Sequence, residues 1–294
     1  MGTIDYSSVR DIPPRTQGNR GIFPSSKVPE GSAHYESQIE RDFFLLLEHA
    51  PDISLFQHQP KNIVYTDEEG KNHKYTPDVY LVIEDGTRIL VEIKDEVSLY
   101  KNYEKNKPKW DAAEKWCNSK GIVFLVLSDR DIRTSRLANI WFTFGSSKVQ
   151  ENSRYMSKLL TLLSPKPKKY HNLCYEFAEI LGTEITKAAQ VICYAIYHGI
   201  VFVETFSNQK LSNTTLIRRK VGDMSSSPFQ PLWMELDIAL DQREVRNLEK
   251  VDDDIHTIKT LSTSDDIKSQ QELDERLVVV KNWLKQPSHK RTRQ

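Results

Sequence analysis

The chain has three cysteines in 294 residues, Cys117, Cys174 and Cys193, and none stands in a CxxC pair or a Cys/His cluster. That scarcity argues against a disulfide-built fold and a structural zinc site, and it predicts a reducing, cytoplasmic setting. Net charge is missing too. The 41 acidic residues offset the 41 basic ones, so a general positive sheath cannot be the argument for a nucleic-acid partner. No apolar run reaches membrane-spanning length, and the N-terminal stretch lacks the apolar core of a signal peptide. What remains is length enough for roughly two domains.

The organising stretch is Tyr75 to Lys94, YTPDVYLVIEDGTRILVEIK, which reads as a β-hairpin turning at Asp85-Gly86-Thr87. Because strand side chains alternate, Glu92 and Lys94 share a face while Val91 and Ile93 take the other. A two-residue turn would send Asp78 to the wrong side. A three-residue turn is expected to set Val79, Leu81 and Ile83 against Ile93, Val91 and Ile89, and Asp78, Tyr80 and Val82 against Lys94, Glu92 and Leu90. Burial selects this register, since a one-residue slip mixes Arg88 into the apolar face. Asp78, Glu92 and Lys94 then meet at one end. Two carboxylates offer the hard oxygens that Mg²⁺ or Mn²⁺ prefers, and a lysine beside them suits positioning a water and stabilising charge on a phosphate. The alternative is a solvated hairpin face with one cross-strand ion pair. Pro77-Asp78 followed by Glu92-Ile93-Lys94 resembles the motif of the PD-(D/E)xK nucleases.

In chain order, residues 1–31 hold four prolines with Arg10, Arg15, Arg20 and Lys27. They read as an extended arm, a disordered leader or a segment that tracks DNA phosphates. SAHYESQIERDFFLLLEH reads as a helix capped by Ser32, with Tyr35, Ile39, Phe43, Leu46 and Leu47 as its core stripe and Glu36 and Glu40 beside it. Two short strands follow, broken at Pro60, then the hairpin. Residues 101–119 read as a lysine-rich helix, and IVFLVL at 122–127 as a strand covered on both faces, paired in parallel through a helical crossover. The expected class is α/β: a restriction-endonuclease-like PD-(D/E)xK core at 32–148.

The helix ESQIERDFFLLLE, then FQHQP, YTPDVYLV, ILVEIK, the helix ending at Trp116 and VFLVLSDRDI, in this order, resemble the TnsA endonucleases of heteromeric transposases. The resemblance covers about 32–145 well and continues more weakly to about 225. It implies an active site of Glu40, Asp78 and Lys94. Glu92 stands where some members carry glutamine, and is therefore the least indispensable of the four. It implies Mg²⁺ (or Mn²⁺) held by Asp78 and Glu92, with Glu40 as a further ligand or base and the Ile93 carbonyl completing the shell. It also implies a prokaryotic protein that hydrolyses the 5′ ends of a transposon beside a TnsB-like transposase and a TnsC-like AAA+ regulator. Another PD-(D/E)xK enzyme, restriction-like or junction-resolving, or a non-catalytic assembly platform, are the rival readings.

Past the basic, proline-broken SPKPKKY, residues 165–232 read as two helices (Tyr170 to Leu181, Ile185 to Tyr197) and two strands, a winged-helix-like domain. Residues 166–222 hold eight Lys/Arg against four Glu. Arg218, Arg219 and Lys220 at the wing are candidates for DNA phosphates, or simply a solvated strand end. Residues 233–268 read as an acidic linker. Residues 269–294 read as a C-terminal basic helix, either a tail that docks on a partner or the start of a TnsB-like domain in a TnsA-TnsB fusion. The expected target selector is either a protein or an RNA-guided complex.

Overall fold

The computed structural model describes residues 20–60, 62–66, 70–148, 153–163, 166–220 and 229–237. Met1–Leu232 forms one compact unit and Trp233–Gln294 a second, of which 233–237 are described. Residues 1–19 of the arm, most of the acidic linker and the basic helix at 269–294 lie outside the described residues.

The arm's last residues belong to the fold. Strand β1 (Gly21–Pro24) pairs antiparallel with β2 (Ser32–Tyr35), Gly21 facing Tyr35. Ser32 therefore lies in a strand and does not cap the helix. The cap is Ser37, whose hydroxyl accepts the Glu40 amide at 3.2 Å at the start of α1 (Gln38–His49). Pairing with β1 holds Ser32 to Tyr35 extended, and the Ser37 cap on the Glu40 amide supplies a better start. Six consecutive residues, Asp42 to Leu47, are buried, so α1 is enclosed on all sides rather than lying on the surface. At its C-terminal end Lys27 donates to the Leu47 carbonyl at 2.9 Å and to the Ala50 carbonyl, placing a cation where the helix dipole is negative.

Next come β3 (Ile53–His58), the hairpin of β4 (Ile63–Thr66) and β5 (Asn72–Tyr75), then β6 (Val79–Ile83) and β7 (Arg88–Lys94). Helices α2 (Glu96–Lys101) and α3 (Tyr103–Asn118) cross over to β8 (Val123–Ser128). The main sheet runs in the order β3-β6-β7-β8, antiparallel except for the parallel pair β7 and β8, as the apolar run and crossover predict. Tyr80 and Leu90 on one face join Trp110, Ala113 and Cys117 of α3 in a common core. On the other face Phe56 meets Phe44 of α1 with ring centroids 5.5 Å apart. The sheet is thus covered on both sides.

The hairpin keeps the expected faces but not the expected partners. Val79 pairs with Val91, Tyr80 with Leu90 and Leu81 with Ile89, two residues along from the expected register. The three-residue loop is Glu84-Asp85-Gly86, because the position with positive φ (+86°) falls at Gly86 and the Ile83 amide bonds the Thr87 carbonyl at 2.9 Å. A shift of two leaves every side chain on its own face.

Helices α4 (Asp129–Ile132), α5 (Ser135–Phe144) and α6 (Ser153–Leu162) lead to β9 (Lys168–Lys169), α7 (Tyr170–Leu181), α8 (Ile185–Tyr197), β10 (Val201–Phe202) and β11 (Leu216–Arg219). Gly182, in the left-handed region, ends α7. The three short strands form a sheet in the order β10-β11-β9. Helix α8 packs against α5, α6 and α7, burying Ala188, Val191, Ile192, Cys193, Ala195 and Ile196. Cys174 and Phe177 are core residues, whereas Tyr175 is exposed.

Asn139 of α5 joins this region to the sheet domain's side of the unit. Its amide donates to the Phe206 and Gln209 carbonyls and its oxygen accepts the Leu211 amide, all at 2.7 Å.

Candidate active site

The end of the central hairpin collects the charged residues. Asp78 precedes β6. Its main-chain carbonyl accepts the amide of Gln59 at 2.8 Å, and Gln59 is the one non-glycine residue with positive φ (42°) among the described residues. Asp78 Oδ2 accepts the Ile93 amide at 2.6 Å. This tie fixes the carboxylate beside the last residues of β7.

Glu92 is buried, 1% exposed. An ionised carboxylate there needs partners, and it has three. Oε1 accepts Lys94 Nζ at 2.9 Å and Lys109 Nζ at 3.0 Å, and Oε2 accepts the Tyr75 hydroxyl at 2.7 Å. Lys94 Nζ also donates to the Ile93 carbonyl at 2.9 Å and lies 3.7 Å from Asp78 Oδ2. One ammonium therefore touches both carboxylates and the carbonyl between them.

The two carboxylates divide the protonation between them. Burial, and then the charge of Glu92, pushes the Asp78 carboxyl well above its ordinary range. Burial alone would raise Glu92 as well, but the Lys94 and Lys109 ammoniums and the hydrogen bonds from Lys94 and Tyr75 hold it below that range. The Lys94 ammonium loses hydration, yet Asp78 and Glu92 raise its pKa overall. Glu40 sits within electrostatic reach of both Asp78 and Lys94, and burial raises its pKa. Its oxygens are already engaged at the helix start. Oε2 accepts the Glu36 amide and Oε1 the Ser37 hydroxyl, both at 2.8 Å.

Glu40, Asp78, Glu92, Ile93 and Lys94 are thus brought to one end of the sheet. The remaining candidates, Arg218, Arg219 and Lys220, lie at β11. Arg218 and Arg219 are exposed, and the Arg218 guanidinium stacks 4.3 Å from the Phe202 ring centroid. Lys220 is buried. Sequence reasoning missed Tyr75, Lys109 and Gln59. Lys109 sits beside Trp110 in a helix recognisable as lysine-rich, but which lysine reaches the site depends on how α3 crosses the sheet.

As a cation site the end is incomplete. Among the described residues no three His, Cys, Asp or Glu side chains group closely enough to hold an ion. The donor chemistry nevertheless fits a hard cation: the Asp78 carboxylate and the Ile93 carbonyl both lie within 3.7 Å of the Lys94 ammonium, and the raised Asp78 pKa marks a place where added positive charge is favourable. Glu92 fits less well, since three donors already occupy its oxygens.

A mixed sheet flanked by helices, with an acid-acid-lysine group at the end of its central hairpin, is consistent with a nuclease core. Residues 50–129 match the family described as TnsA-like endonuclease N terminal, so the chain carries a TnsA-like endonuclease domain. The match includes Tyr75, Asp78, Glu92, Lys94 and Lys109, while Glu40 precedes it. Such a domain implies DNA as the substrate and Tn7-type transposition as the setting. No curated protein matches the chain. Among the described residues, no helix is long and apolar enough to cross a membrane.

Proposed function

We propose that the protein is the endonuclease that cleaves the 5′, non-transferred strands at transposon ends during cut-and-paste transposition. It works beside a TnsB-like transposase and a TnsC-like AAA+ regulator. The observation that carries this reading is the convergence of Asp78, Glu92 and Lys94 at one end of the sheet, with Glu40 in electrostatic reach, inside a TnsA-like domain.

In this reading Asp78 and the Ile93 carbonyl would hold Mg²⁺ or Mn²⁺, with Glu92 and Glu40 as further candidate ligands. A divalent ion supplies charge neutralisation at the scissile phosphate and acidifies an attacking water. Lys94 directs its ammonium at the water and at the charge developing on the phosphate. Glu40, where it is not a ligand, would position that water or take its proton. Asp78 fixes the strand end through the Ile93 amide, so that the carbonyl and Lys94 keep their spacing.

We further propose that residues 165–232 are winged-helix-like. A three-stranded sheet in the order β10-β11-β9, with β9 ahead of α7 and α8 and the other two strands after them, supports this. The DNA contacts are assigned to Arg218 and Arg219, which are exposed at β11. Lys220 is left out of them by its burial.

The test combines the chain with a TnsB-like transposase and transposon-end DNA in Mg²⁺, and maps nicks on each strand for wild type, Asp78→Ala and Lys94→Ala. Loss of the 5′-strand nick alone is the expected result. Persistence of that nick in either variant refutes the site, and leaves the chain as an assembly platform or a nuclease with another active site.

A further inference from the structure

Glu92 has more cationic partners than the four-residue site accounts for. Resting on the nuclease reading above, we propose that Lys109 is a positioning residue of the site, one that holds Glu92 so that Glu92 in turn holds Lys94.

The geometry is a relay. Lys109 Nζ meets the same oxygen of Glu92 that Lys94 meets, at 3.0 Å and 2.9 Å. Tyr75 ties down the other oxygen at 2.7 Å, so the carboxylate cannot turn. The Lys109 ammonium is itself held against aromatic faces, 4.9 Å from the Tyr75 ring centroid and 5.8 Å from that of Trp110. Its side chain is 21% exposed, too enclosed for an ammonium whose purpose is to stand in solvent.

Charge explains why a second lysine is needed. Glu92 and Asp78 together present two carboxylates to one ammonium, and Glu92 is the more deeply buried. Without Lys109, Lys94 is drawn fully into neutralising Glu92. With Lys109 sharing that oxygen, Lys94 remains shared between Glu92, the Ile93 carbonyl and Asp78 and is not committed to Glu92 alone. A glutamine at position 92 would keep a hydrogen-bonding oxygen without the charge and would not need the second cation.

This predicts a coupling that a merely structural lysine would not produce. Lys109→Met should lower the single-turnover rate of 5′-strand nicking at saturating DNA by about 10- to 100-fold, the usual cost of losing a group that orients an active-site ligand, with DNA affinity unchanged. In the Glu92→Gln background the same Lys109→Met change should cost nothing. The assay uses the full chain with the TnsB-like transposase and transposon-end DNA in Mg²⁺, with Asp78→Ala alongside. Should Lys109→Met alone fail to fold, Lys109→Arg is measured in its place in both backgrounds, and a rate loss that vanishes with Glu92→Gln supports the relay.

A wild-type rate for Lys109→Met while Asp78→Ala is inactive overturns this inference and leaves the nuclease reading standing. So does a loss confined to DNA affinity, which would make Lys109 a phosphate contact, or an undiminished loss in the Glu92→Gln background. Full activity of Asp78→Ala overturns both the nuclease site and the relay.

Discussion

Lowering the pH from 7 to 5 should destabilise this protein through one histidine. His49, the last residue of α1, packs against the rings of Tyr197, Phe206 and Phe229 with centroids 5.0, 5.7 and 4.5 Å away. Its Nε2 lies 3.1 Å from the Tyr197 carbonyl, to which the neutral ring donates, and its buried Nδ1 has no hydrogen-bond partner. A proton on Nδ1 would have no acceptor. Burial, and then the charge of Arg136, accordingly lowers the pKa from 6.5 to about 3. The folded pKa is depressed, so between those values the unfolded chain binds the proton and the folded chain does not. Stability is full above about pH 6.5 and is lost as the pH falls toward 3. From pH 7 to pH 5 linkage makes the loss from this ring about 2 kcal/mol. His49→Phe keeps an aromatic ring and removes the titration, at a baseline cost of about 1 kcal/mol for the hydrogen bond to Tyr197. Urea unfolding followed by circular dichroism at both pH values measures the difference. His58, lowered to about 4, adds a loss of the same sign in both proteins and cancels from the comparison. An equal loss of stability in wild type and His49→Phe would refute the argument.

Two further perturbations test the frame. Asn139→Ala strips partners from the Phe206 and Gln209 carbonyls and the Leu211 amide. It should cost about 3 kcal/mol in chemical unfolding and speed hydrogen exchange at Leu211. Gly86→Ala places a Cβ in open space but at φ +86°, so only the backbone resists. A cost of about 1–2 kcal/mol is expected, while a neutral result would mean that the hairpin loop adopts another conformation.

The parts of the site written in strand parity were legible in the sequence. Asp78, Glu92 and Lys94 share a face in any register that buries Val79, Leu81, Val91 and Ile93 together, so a shift of two did not disturb the grouping. Partner assignments were not legible, because they depend on where the loop places its one positive φ. The helix start was legible in principle, since Ser37-Gln38-Ile39-Glu40 spells a capping box. The apolar spacing of Tyr35 drew the boundary too far back, into a strand whose partner at 21–24 carries little periodicity. Tyr75 and Lys109 lie seventeen residues from Glu92 on either side, and no local pattern records that a hairpin and a crossover helix bring them to one carboxylate.

The clasp between α5 and the 206–211 loop has a consequence for where DNA is cut. With Asn139 holding that loop, His49 seated on Tyr197, and α8 packed on α5, the nuclease end and β11 belong to one body rather than to two modules on a tether. A duplex gripped at Arg218 and Arg219 would then meet Lys94 at a distance fixed by side-chain packing. The number of nucleotides between grip and nick would be a property of the protein's interior, changed by repacking α5 against α8.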